Sequence, residues 1–158
     1  MFLLLVATCG CGWGPPPLAH AESSPRALAS AVLDAYEHGD REALRRLALS
    51  ESEFRDHVWP QLPASKPERN LPFSYVWGDL RQKSEAYLSQ MLGARTTRHH
   101  TLLDVRFAGE TTQYDDFVVH RRTVLTVEDE DGVREEIRLY GSVLEKDGAF
   151  KVFSFVTD

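Results

Sequence analysis

From about His100 to Val156 the chain alternates apolar and polar residues through four segments separated by Gly-bearing turns, a pattern that demands an antiparallel sheet. Register must bring the apolar side chains of neighbouring strands to one face. Asp147-Gly148 suits a two-residue turn with positive φ, and centring a hairpin there sets Val143 against Val152, Leu139 against Val156 and Tyr140 against Phe155. The turn ending in Gly132 behaves differently. A two-residue loop at Asp131-Gly132 would set Leu125 against Arg138, whereas an odd-length loop with a left-handed Gly132 returns Leu125 to Ile137 or Leu139, so a bulged hairpin is expected. Leu103, Val105 and Phe107 mark a further strand, and Phe117 to Val127 another. Gly141 and Ser154 fall opposite each other and are small enough for the sheet to bend or a ligand to approach. Tyr140, Leu144, Phe153 and Phe155 make the second face apolar, so helices or a partner subunit must cover it.

The residues before this sheet read as its cover. Ser24-Pro25 is a helix cap followed by a proline at the first helical position; Leu28, Val32, Leu33 and Tyr36 form one stripe, and Gly39 ends the helix. Asp40 caps a second helix that carries Leu44, Leu47 and Ala48 inward. Ser50 and Glu53 have capping-box spacing, so a third short helix presents Phe54 and Val58. Asp79 to Leu92 is helical again, with Gly93 as its stop. The fold class is therefore α+β, with N-terminal helices packed on a strongly curved antiparallel β-sheet.

Between Trp59 and Phe73, Pro60, Pro63, Pro67 and Pro72 exclude regular helix or interior strand and predict an extended surface loop. Trp59, Phe73, Tyr75 and Trp77 flank it. Aromatic anchors of this kind either pin a long loop over the core or wall a binding pocket.

A chain of 158 residues with 42% hydrophobic and 27% charged content is one ordinary globular domain. Its net charge of -6 lies wholly after Ala21 and argues against nucleic-acid or anionic-membrane binding. Phe2 to Ala7 is an apolar run too short to span a bilayer, and Leu18-Ala19-His20-Ala21 offers the small residues a signal peptidase accepts. Val6-Ala7-Thr8-Cys9 resembles a lipoprotein box. Two routes stay open: a leader over residues 1–21 cut after Ala21, or lipidation at Cys9. Either leaves residues 22–158 as a single exported domain without cysteine, periplasmic or lipid-anchored at the cell envelope, with any membrane contact made through the lipid alone.

The order helix, Gly39-Asp40, helix, third helix and long antiparallel strands resembles the nuclear transport factor 2-like superfamily, including its SnoaL-like members, over about residues 25–156. Tyr36-Glu37-His38-Gly39-Asp40-x-x-x-Leu44 and the last hairpin, Gly148-x-Phe150-Lys151-Val152, carry the likeness. The resemblance implies a cone-shaped α+β barrel whose curved sheet wraps a pocket closed by helices, with dimerisation through the sheet's outer face. That superfamily spans enzymes, binding modules and assembly domains, and no catalytic signature of its enzymes occurs here.

The polar residues placed in or near the helix-sheet space are Asp79, Asp104, Tyr75, Tyr114, Asp115, Asp116 and His120. The candidate pocket comprises Trp59, Phe73, Tyr75, Trp77, Asp79, His120, Arg122 and Tyr140. His120 and Arg122 on one strand face suit an anionic ligand or, more blandly, a solvated surface. Tyr114-Asp115-Asp116 reads most simply as a turn. His99-His100 precede a strand and point to opposite faces, so they do not share a metal; no phosphate loop or nucleophile elbow occurs, and no cofactor is expected. The leading expectation is an exported, non-catalytic domain that binds a small apolar molecule or a protein partner between helices and sheet. One alternative is a cofactor-free lyase, isomerase or hydrolase with His120 or Asp115 as base and Tyr75 or Tyr114 as acid. Another is a structural homodimer formed through Tyr140, Phe153 and Phe155.

Overall fold

The structure is a computed structural model that describes residues 14–157. The apolar run Phe2 to Ala7 and the lipidation candidate Cys9 lie outside the described residues. Helix α1 (Pro25–His38) begins on Ser24, whose side chain accepts the Ala27 N–H, and ends on Gly39 at φ 68°. Helix α2 (Arg41–Leu47) is capped by Asp40. The expected capping box of Ser50 and Glu53 is complete in α3 (Glu51–Glu53), which runs into a π-helical turn, Phe54–Val58.

Two expectations for the following segment need correction. Trp59 to Pro72 is not extended but folds into 3-10 turns, Trp59–Gln61, Pro63–Ser65 and Pro67–Arg69, each with proline in its first two positions, where the missing N–H costs nothing. Helix α4 spans Phe73–Gly93, starting six residues before the expected Asp79. Phe73, Trp77, Leu80, Ser84 and Leu88 recur at helical spacing toward the interior, and their burial outweighs the roughly 1 kcal/mol that Gly78 costs within a helix.

The strands are β1 (His100–Phe107), β2 (Thr111–Gln113), β3 (Val118–His120), β4 (Thr123–Asp129), β5 (Arg134–Ile137), β6 (Ser142–Lys146) and β7 (Ala149–Ser154). They form two antiparallel sheets, β1-β4-β5 and β2-β3-β6-β7, in place of the one continuous curved sheet, and the sheets do not close into a barrel. The expected Phe117 to Val127 strand is broken at Arg121-Arg122, where Arg122 takes φ 55° and hands the chain from one sheet to the other. A second handover is anchored where the Gly141 carbonyl accepts both the Thr123 N–H at 3.0 Å and the Thr123 hydroxyl at 3.2 Å. Gly141 permits the approach of chain, not of ligand: a Cβ there would lie 1.7 Å from the Val156 carbonyl oxygen.

Both turn readings hold. Lys146 pairs with Ala149 across Asp147 (φ 52°) and Gly148 (φ 75°), and Val143 faces Val152. Leu125 pairs with Ile137, and Gly132 is left-handed at φ 76°. A bulge between Ser142 and Val143 sets Ser142 opposite Ser154, so the expected pairing does not continue to Leu139 and Tyr140.

Two hydrophobic clusters result. One joins α1, α2 and the later turns of α4 to β1, β4 and β7 through residues such as Leu28, Val32, Leu44, Leu88, Leu125 and Val152. The other joins Phe54 and Val58 to Phe117, Val119, Leu144 and the start of α4. Tyr140, Leu144 and Phe155, assigned above to a face needing cover, are 1%, 0% and 3% exposed within this chain alone.

A charged pair sits beneath these layers. Lys151 Nζ lies 2.9 and 3.1 Å from the Glu53 carboxylate oxygens, and that carboxylate also accepts the backbone N–H of Ser50 at 2.8 Å and of Ala19 at 2.7 Å. Burial pushes the Glu53 carboxyl up, but these donors and Lys151 more than offset it and leave it below the ordinary range; burial also lowers the Lys151 ammonium. A carboxyl depressed in the folded state stabilises the fold above its unfolded pKa, and that contribution is lost as pH falls through the folded value. Glu53→Gln, which leaves Lys151 without its counter-charge, is expected to cost about 3 kcal/mol at pH 7 in urea titrations. The gap between wild type and variant should start to narrow as pH falls through the ordinary Glu pKa of about 4.3 and close only below the depressed folded value; a gap that stays constant would count against the pair.

Candidate functional site

Among the described residues, helices and sheet enclose a cleft of about 580 Å³ that the sequence did not single out. Its walls come from the end of α1 (Tyr36), the last turns of α4 (Tyr87, Gln90, Met91), the start of β1 (His100), β5 (Glu135, Ile137) and the segments bearing Leu139 and Phe155. Met91, Ile137, Leu139 and Phe155 supply an apolar floor continuous with the first cluster. Arg98, held 3.4 Å from Asp129, lies at the rim.

One polar group in this cleft is held tightly. The His100 side chain is 7% exposed, with Nδ1 3.1 Å from Glu37 Oε1, the same oxygen that accepts the His100 backbone N–H at 2.7 Å. Glu37 Oε2 meets His99 Nδ1 at 3.1 Å. A carboxylate can only accept, so in the neutral ring Nδ1 carries the proton and Nε2 keeps its lone pair. Nε2 is 3.5 Å from Glu135 Oε1, too long for a hydrogen bond, and the carboxylate attracts this nitrogen only in the doubly protonated ring. The Tyr36 phenol is pushed up by burial, with the Arg95 guanidinium opposing, so at neutral pH its hydroxyl is a donor. The cleft thus sets an oriented imidazole, a carboxylate and a phenol around an apolar floor.

The residues expected to form a pocket are dispersed. Trp59, Phe73 and Trp77 fill the second cluster: Phe54 stands 5.3 Å from Trp77, 6.0 Å from Phe73 and 6.2 Å from Phe153, ring centre to centre. Tyr75 is 65% exposed. Asp79 is a surface partner of Lys83 at 2.8 Å. Tyr140 is sealed in the core, where burial pushes its phenol up. Arg122 is exposed at the sheet break, and Asp104 is exposed on β1.

His120 does have partners. It stacks on Phe107 at 4.4 Å, and its Nε2 lies 2.7 Å from Glu145 on β6. Tyr114 stacks on Phe117, while Asp115 and Asp116 form the expected turn, tied to Gln61 through the Asp115 N–H and the Asp116 carboxylate. Lys146 at 2.6 Å holds the Asp116 carboxyl below its ordinary range. These residues belong to the four-stranded sheet and its loops and do not converge with His100.

Glu37 and His100 went unnoticed because nothing local joins them: the carboxylate sits in the last turn of α1 and the imidazole at the first residue of β1. The signals were present separately, as Tyr36-Glu37 before the Gly39 stop and as the His99-His100 pair. The adjacent histidines share a carboxylate, which alternation along a strand had disfavoured only for a metal.

The class that the fold defines is α+β with two antiparallel sheets. In comparisons with known proteins, no family model, no curated protein and no solved structure matches the chain.

Replacing Glu37 by Ala should destabilise the domain by about 1–3 kcal/mol, because the buried His100 N–H and Nδ1 lose their acceptor together. Glu37→Gln, which retains an acceptor oxygen, should lose less. Chemical denaturation of both variants tests this, and equal losses would remove the shared-oxygen role.

Proposed function

We propose that this domain binds a small, mainly apolar molecule with a hydroxyl or similar donor at one end, seated in the cleft between α1, α4 and β5. The observation that carries the reading is the pairing of a 580 Å³ cleft, within the size range of small-molecule sites, with one buried imidazole whose open nitrogen accepts a hydrogen bond. The apolar body packs on Met91, Ile137, Leu139 and Phe155, and the ligand's hydroxyl donates to His100 Nε2. The reading accords with a pocket between helices and a curved sheet, as in the cone-shaped fold of the nuclear transport factor 2-like superfamily. It replaces the Trp59 to Trp77 wall with the opposite end of α4. Dimerisation through Tyr140 and Phe155 draws less support, because this chain's own residues bury both.

A second reading follows from the Glu37–His100 pair itself. A carboxylate that fixes the tautomer and orientation of an imidazole is the arrangement a general base requires, and Tyr36 offers a nearby acid. Under it, the cofactor-free lyase, isomerase or hydrolase would use His100 in place of His120, Asp115 or Tyr114.

Ile137→Trp should fill the floor, and a panel of hydroxylated aromatic and alicyclic compounds should raise the melting temperature of wild type and not of this variant. His100→Ala should weaken binding of the best compound about tenfold, the worth of one hydrogen bond to a buried acceptor, in calorimetric titration. Compounds that bind both variants as tightly as wild type would place the site elsewhere. Conversion of a compound by wild type and by His120→Ala, but not by His100→Ala, would favour the second reading.

A further inference from the structure

The residues ahead of α1 are part of the packed domain. His57, 5% exposed in the π-helical turn, has Nε2 2.8 Å from the Pro16 carbonyl, so this nitrogen carries the proton and donates. The Leu18 side chain packs against the second hydrophobic cluster. The Ala19 N–H donates to Glu53 Oε1 at 2.7 Å, completing the shell around the buried Glu53–Lys151 pair. His20, at φ 52°, turns the chain, and Glu22 then exchanges hydrogen bonds of 2.9 and 2.8 Å with Phe150 on β7. Residues 16–22 thus form a strap with successive anchors on the π-helical turn, on the charged pair and on the edge of β7.

The strap contains Ala19-His20-Ala21, the small residues that fit a signal peptidase, and a cut after Ala21 would discard the first two anchors. His57 Nδ1 has no partner among the described residues, so loss of the Pro16 carbonyl would leave neither ring nitrogen bonded. Glu53 would lose a charge-assisted donor to a carboxylate only 9% exposed, one of the stronger kinds of hydrogen bond.

We propose that the working protein keeps residues 16–21: the bond after Ala21 is not a processing site, and any removal of a leader occurs on the N-terminal side of Pro16. The inference rests on the strap and not on the cleft, so it stands or falls apart from the binding proposal.

The full chain with a C-terminal tag, expressed in a Gram-negative bacterium and recovered from all cell fractions, reports its own N-terminus by intact mass. An N-terminus at or upstream of Pro16, with or without a lipid mass, is expected. An N-terminus at Glu22 overturns the proposal. A second measurement asks whether the strap matters energetically. Ala19→Pro deletes the N–H while suiting the position before a left-handed turn residue, and should lower the melting temperature of the full chain by about 5 °C. An unchanged melting temperature also overturns the proposal.

Discussion

The buried contact between Glu53 and Lys151 is the point at which distant parts of the chain become one body. Lys151 belongs to the last strand, Glu53 closes the capping box of α3, and the N-terminal strap delivers the Ala19 N–H to the same carboxylate. Two charges taken out of water are tolerated only when their remaining hydrogen-bonding capacity is met. Each element around the pair contributes a donor, so none can shift without leaving a buried charge short. The pair therefore adds less to net stability than to the uniqueness of the packing, because an apolar pair of similar volume would accept many more arrangements of strap, helix and strand.

A second constraint is purely steric. The chain passes between sheets three times, at Ala108 to Glu110, at Arg121-Arg122 and at the segment ending in Gly141, and close backbone approach at each leaves little freedom. The Gly109 N–H donates to the Arg121 carbonyl and the Gly141 N–H to the Ser154 carbonyl, each at 3.0 Å. The β1 bulge between Leu102 and Asp104 is held from outside, with the Arg26 guanidinium donating to the Leu102 and Leu103 carbonyls. Each interruption of the ladder thus has a named partner for the backbone groups it frees, as a partly buried sheet requires.

Features set by residues close in sequence were legible. Caps at Ser24, Asp40 and Ser50, the left-handed Gly39, the two-residue turn at Asp147-Gly148 and the bulged turn at Gly132 all depend on a handful of neighbouring side chains. The division into two sheets was not legible, because Phe117 to Val127 is rich in β-branched residues and holds no Gly or Pro to interrupt it, while the break comes from a left-handed Arg122, a residue with no intrinsic preference for that conformation. The early start of α4 was hidden by Gly78 and by the aromatics, whose burial outweighs local propensity. Of the aromatic residues, Trp59, Phe73 and Trp77 pack against the second cluster, whereas Tyr75 stands 65% exposed. The cleft was the least legible part, since its polar group joins residues 63 apart that lack any shared motif.

The outer wall of that cleft is its weakest element. Strand β5 is four residues long, lies at the edge of its sheet and is hydrogen-bonded only to β4, with Arg134, Glu135 and Glu136 exposed. Short edge strands open at a small fraction of the global unfolding free energy. Fraying of β5 would widen the cleft, and under the binding proposal a molecule that bridges Ile137 and His100 would act as a splint.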